Sequence, residues 1–198
     1  FGYDALERQT SATDPRIGTS TAHFNSLGQQ DWTEDAAGNR TSYTFDPDTG
    51  RQVSTTDALT NTISVALDVK GQNLGTWGAT YPVFYGFDDF ARMTAMYTLR
   101  ATNVTVSGYA SFTNNIGSFD KTTWLYDQAT GLLTNKLYAD NKGPVYTYTA
   151  GGKLASRTWA RGVTTVYRYD SGSGAMTNID YGDSTPDVVF TYNRMGQH

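Results

Sequence analysis

Apolar and polar positions alternate along this chain in short bursts. Two apolar residues separated by one position are followed by Asp or Asn, and four or five residues after the second apolar position comes Gly. Apolar side chains at i and i+2 share one face of a β-strand. Asp or Asn directly after a strand bonds to its own backbone and starts a turn. Gly accepts the positive φ that closes such a turn. A second strand follows, as in Arg51-Gln52-Val53-Ser54-Thr55 or Lys153-Leu154-Ala155-Ser156-Arg157, and then another reversal, as at Gly38-Asn39 or Arg161-Gly162. The pattern predicts a meander of two short strands and two turns per unit.

The bursts are periodic. Their second apolar residues are Tyr3, Phe24, Phe45, Leu67, Phe87, Tyr126, Tyr148, Tyr169 and Tyr192, and seven of the eight intervals lie between 20 and 23 residues. The residue two positions earlier is always apolar or aromatic: Phe1, Ala22, Tyr43, Val65, Tyr85, Trp124, Tyr146, Tyr167 and Phe190. The following residue is Asp or Asn in every unit except at Thr149, and the closing Gly is replaced only by Glu7 and Ala91. A fixed period of this length is the mark of a repeat architecture. We therefore read 1–198 as a single array of nine units. The interval from Phe87 to Tyr126 spans 39 residues, and the segment 101–123 reads as an insertion on one rim of the sheet. A longer hairpin, or a helical turn after Ser111, would fill it. A degenerate repeat around Tyr109 is the alternative, disfavoured because no Asp–Gly turn follows Tyr109.

Composition supports strands. The chain has 17 Asp but only 2 Glu, with 20 Gly and 14 Tyr. Glu favours helices, whereas Asp and Gly favour turns and Tyr favours strands. The lack of Cys excludes disulfides and thiol chemistry. The net charge of −4 is scattered, with no basic stripe for nucleic acid and no apolar run of the ~20 residues a membrane helix needs. Nucleic-acid partners and membrane insertion are not expected.

Candidate chemistry is sparse. Only His23 and His198 could serve as imidazole bases. His23 falls between two strand apolar positions and reads as an outward-facing strand residue; His198 is terminal. No catalytic residue, metal site or cofactor site is expected. Asp46/Asp48, Asp88-Asp89 and Asp180/Asp183 are the densest carboxylates, but turn chemistry accounts for them. Asp46-Pro47-Asp48-Thr49-Gly50 resembles the opening of a calcium loop without its downstream Glu. Gly172-Ser173-Gly174 precedes a strand, unlike a phosphate loop. Trp32, Trp77 and Trp159 lie in second strands or near reversals and are the candidates for glycan or partner binding, with core packing as the competing role.

Tyr126-Asp127-Gln128-Ala129-Thr130-Gly131, Tyr169-Asp170-Ser171-Gly172-Ser173-Gly174 and Phe45-Asp46-Pro47-Asp48-Thr49-Gly50 resemble YD repeats. These are the repeats of the Rhs family, which includes toxin-complex shells and teneurins, and the resemblance covers essentially the whole chain. It implies an all-β fold of tandem β-hairpins in one curved, continuous antiparallel sheet, an open barrel-like or spiral shell segment. Nine units supply about 16–18 strands, more than the ~10 an open twisted sheet holds before curling. The family resemblance further implies a secreted or cell-surface protein whose shell encloses a toxin or effector domain. The Asp46 segment also resembles part of the family's autoproteolytic element, but its place in the third unit implies no self-cleavage. The chain begins and ends inside units and so reads as a fragment of a longer repeat region. Its partners would be adjoining YD repeats, or other copies through strand edges. The alternatives are a carbohydrate- or protein-binding adhesion module and a self-assembling extracellular filament.

Overall fold

The structure is a computed structural model and describes residues 1–197. The described residues hold 17 strands. They are β1 (Gly2–Tyr3), β2 (Gln9–Asp14), β3 (Gly18–Phe24), β4 (Gln30–Glu34), β5 (Arg40–Phe45), β6 (Gln52–Thr56), β7 (Thr62–Leu67), β8 (Asn73–Gly78), β9 (Val83–Phe87), β10 (Met93–Leu99), β11 (Phe119–Tyr126), β12 (Leu133–Leu137), β13 (Val145–Tyr148), β14 (Leu154–Thr158), β15 (Thr164–Tyr169), β16 (Met176–Tyr181) and β17 (Val188–Val189). Sequence neighbours pair antiparallel from β1 to β9 and from β11 to β17. The expected class, an all-β array of antiparallel hairpins, is the observed one. Between β10 and β11 the chain leaves the sheet and forms α1 (Tyr109–Asn114) and a single 3₁₀ turn. Strand β11 already begins at Phe119, inside the segment assigned to the insertion.

The chain divides into two compact bodies. The first comprises Phe1–Gly86 with Tyr97–Phe119, and the second comprises Phe87–Met96 with the residues from Asp120 on.

The period has a structural cause at seven of the nine anchors. Strand register shifts by one residue at Tyr3, Phe24, Phe45, Leu67, Tyr126, Tyr148 and Tyr169. His23 pairs with Trp32 but Phe24 pairs with Gln30, so the partner strand carries one extra residue. A β-bulge of this kind sharpens the local twist and re-aims side chains. The turn that follows is closed by backbone bonds, as in Asn25 N–H to the Gln29 carbonyl at 2.8 Å and Gly28 N–H to the Asn25 carbonyl at 3.0 Å. Its last residue has positive φ. Gly28 sits at 81°, and the two residues that replace Gly adopt the same conformation, Glu7 at 61° and Ala91 at 63°. The turn geometry therefore overrides side-chain preference in those two repeats.

Few side chains are buried, since a sheet face packs only where something covers it. In the first body one cluster does so: Phe84 (0% exposed), Val106, Phe112 and Phe119, with Trp77, Tyr97, Leu99 and Val104 against it. Residues of the 100–118 segment supply part of this cover. Gly75 lies opposite Phe84 in the β8–β9 pair, and a Cβ there would approach the Phe84 Cγ to 2.9 Å. The missing side chain makes room for the ring.

Candidate functional site

The repeated contacts lie at the turns and between successive repeats. Where Asp leads a turn, it accepts backbone N–H groups through one carboxylate oxygen. Asp35 takes Ala37 and Asn39, both at 2.9 Å, and Asp57 takes Leu59 and Asn61 at the same distance. The other oxygen accepts the amide of Asn39 or Asn61. Asp46 and Asp127 instead take the N–H and hydroxyl of Thr49 and Thr130. Bonds to the charged form favour it. The side-chain bonds from Asn39, Asn61, Thr49 and Thr130, reinforced by the backbone N–H groups, hold these four carboxylates below their usual range.

A depressed folded-state pKa contributes stability that is present above the unfolded value and lost as pH falls through the folded one. The turns should therefore leave stability level from neutral pH to about pH 5 and lower it progressively below about pH 4. A urea midpoint measured against pH at constant ionic strength checks this. Asp57→Asn, which keeps the oxygen acceptor, should flatten that acid slope; an unchanged slope in Asp57→Asn would count against the assignment.

Two further columns tie repeats to their neighbours. The first is the anchor hydroxyl. Tyr126 donates to the Met93 carbonyl at 2.8 Å, Tyr148 to Leu133 at 2.7 Å, Tyr169 to Leu154 at 2.9 Å and Tyr192 to Met176 at 2.8 Å. Each acceptor is the first residue of the preceding repeat's second strand. Burial raises the Tyr126 and Tyr148 hydroxyls above their ordinary value. The second column is the residue just after the turn. Arg8 stacks over Phe24 at 4.5 Å, Gln29 Nε2 donates to the Gly50 carbonyl at 2.7 Å, and Arg51 donates to Asp68 and Val69 carbonyls at 2.8 and 3.2 Å. Arg92 lies 4.6 Å over Tyr126, and Lys153 donates to the Gly174 carbonyl. Each reaches forward into the next repeat's turn. Sequence reasoning missed this second column. The long polar side chains at Arg8, Gln29, Arg51, Gln72, Arg92, Lys153 and Gln197 were its available signal.

The singled-out residues lie apart. His23 faces out with its side chain 53% exposed, bonds Asp31 through Nδ1 at 2.6 Å and stacks on Trp32 at 5.3 Å. The Arg40 guanidinium lies 3.9 Å from the Trp32 ring, so Trp32 sits between two partners. Trp77 packs against the Phe84 cluster, stacked at 6.0 Å. Trp159 is 40% exposed. His198 lies outside the described residues. Among the described residues no group of three His, Cys, Asp or Glu could hold a metal, and no helix is long and apolar enough to cross a membrane.

No protein-family model matches the chain, and no curated protein matches it. Among solved structures, the chain is similar over 94% of its length to a chain in the crystal structure of TcdB2-TccC3-Cdc42, with 14% identity and a TM-score of 0.50. It is similar over 96% of its length to one in the crystal structure of TcdB2-TccC3-TEV, with 15% identity and a TM-score of 0.50. It spans 11% and 12% of those chains. The hairpin sheet described above is thus the same fold as a stretch of these toxin-complex chains.

Proposed function

We propose that this chain is a stretch of a Rhs/YD-repeat β-wall whose work is mechanical. The wall would belong to a secreted or cell-surface protein and help enclose a toxin or effector domain. One observation carries the reading: in the resolved repeats, side chains reach from one repeat onto the backbone or ring of the next. Tyr hydroxyls reach back one repeat, and Gln29, Arg51 and Lys153 reach forward. Such a repeat is completed by its neighbours, and stability propagates along the array. The partners on this reading are adjoining repeats of a longer chain, meeting the outermost strands edge to edge. The likeness to TcdB2-TccC3 chains supports the fold part of the proposal.

The test is a structure of this chain together with the residues that flank it in its gene. The expected result is a continuous antiparallel sheet that passes through 1–197 and bounds an internal volume holding another part of the polypeptide. A sheet that ends at either limit of this segment, facing solvent on both sides, would contradict the reading.

A further inference from the structure

An open trough of about 420 Å³ runs across β6, β7 and β8 in the first body. Val53, Val65, Leu67 and Leu74 make its apolar walls, together with Trp77 and Tyr109. Tyr109 opens α1, so the segment that interrupts the period supplies part of the wall. The four aliphatic side chains are only partly buried, and apolar surface left in water favours anything that would cover it. Phe84 holds both rings, stacked on Trp77 at 6.0 Å and tilted to Tyr109 at 5.9 Å. The wall is therefore preformed, and a ligand entering it does not have to order those rings.

The turns after β5 and β7 add Asp46, Thr49, Arg51 and Asp68 to the lining. Arg51 is committed to the next turn: Nη1 donates to the Asp68 carbonyl at 2.8 Å and Nη2 to the Val69 carbonyl at 3.2 Å. Asp68 accepts the Gln72 backbone N–H and side-chain amide, both at 2.8 Å. Asp46 differs. Thr49 gives its N–H and its hydroxyl to the same oxygen, Oδ1, at 2.8 and 2.7 Å. The Thr49 hydroxyl, with the backbone N–H, holds this carboxyl below its usual range, and Oδ2 is left as an acceptor at the mouth. Two carboxylates against one guanidinium give the lining a net negative charge. Trp77 sits four residues from Asn73, at the turn end of β8, which is about 13 Å along the strand. One trough thus joins a long apolar wall to a charged end.

We propose that this trough binds a small amphiphile with an aryl or alkyl body and a cationic amine head, the head at Asp46 Oδ2 and the body along Val65, Leu74 and Trp77. Apolar walls with a few placed polar groups are the usual form of a small-ligand site. Covering the aliphatic wall drives association. The head then selects among ligands that share a body, because an ammonium brings three N–H donors to a carboxylate. A carboxylate head meets like charge at Asp46 and Asp68, and the Arg51 N–H groups that could offset this already bond carbonyls. The trough lies wholly within the first body. It stands apart from the wall reading and would bind with or without enclosed cargo.

Titration of the purified chain with phenylhexylamine, phenylhexanol and phenylhexanoic acid at neutral pH tests it, followed by the Trp indole and methyl NMR signals. The three ligands share one body and differ only in the head. The amine is expected to bind about three- to tenfold more tightly than the alcohol, in keeping with a partly exposed charge pair, and the acid more weakly than either. Asp46→Asn keeps an oxygen acceptor for Thr49 and should bring the amine to the affinity of the alcohol. Val65→Trp fills the trough and should abolish binding of both. Leu74→Trp fills it from the next strand and decides the question if circular dichroism shows that Val65→Trp has not folded. Native protein that binds none of the three would overturn the proposal. So would an acid bound as tightly as the amine, an amine preference that survives Asp46→Asn, or full binding by a folded trough-filling variant.

Discussion

Phe84→Ala is expected to lower the stability of the first body by about 3–5 kcal/mol, the range for a buried aromatic truncated to Ala. Phe84 is the one large side chain fully buried among the described residues. Its ring stacks on Phe112 at 4.2 Å, meets Phe119 edge-on at 5.8 Å and lies 6.0 Å from Trp77. Those partners come from β8, α1 and β11, so the cavity would open where the 100–118 segment is seated. Relaxation cannot fill it from the opposite strand, because the residue there is Gly75. The segment should then become the first site of limited proteolysis, while its backbone closure, Arg100 N–H to the Ser118 carbonyl at 2.9 Å, offers little resistance alone. Phe90→Ala, an exposed ring of the second body, is the control. Phe90 is 77% exposed, and its loss should cost within about 0.5 kcal/mol. Urea denaturation of the two variants is the measurement, and a Phe84→Ala cost below about 1 kcal/mol would show that the cluster does not seat the segment.

The second large effect is expected at Tyr148. Its ring is half-buried in the second body and its hydroxyl closes a bond onto Leu133 of the preceding repeat. Tyr148→Phe removes only that bond and should cost about 1 kcal/mol. Tyr148→Ala removes the bond and the ring contacts and should cost about 2–3 kcal/mol, less than a fully buried aromatic because part of the ring already meets water. The difference between the variants separates the hydroxyl lock from packing. Equal costs for Phe and Ala would assign the whole effect to the hydroxyl, and a neutral Tyr148→Phe would remove the lock from the account.

Much of this fold was legible because its signals are local. The alternation at Tyr146 and Tyr148, the Asp or Asn after each anchor and the positive-φ Gly all act within one hairpin, where sequence spacing equals spatial spacing. The bulge at seven of the anchors was not legible, since it depends on which residue of the partner strand is skipped, for example Asp31 opposite His23 and Phe24. The links between repeats were hidden for a related reason. Tyr and Phe are interchangeable as apolar strand residues, so the pattern alone does not separate Tyr148, which donates to Leu133, from Phe45, which has no hydroxyl to give. Trp77 shows the same limit. Its place in a second strand gave no sign that Phe112, from beyond the next two strands, would pack with the cluster against it.

The central claim is that the chain is a row of repeats, each locked to the one before it. Hydrogen exchange of the Tyr148→Ala variant, read strand by strand against the native chain, tests this most directly. Nearest-neighbour coupling predicts faster exchange in β12, β13 and β14, the strands around the lost lock, with β2 to β6 of the first body unchanged. A uniform acceleration across all strands, or none in β12 and β13, would contradict it.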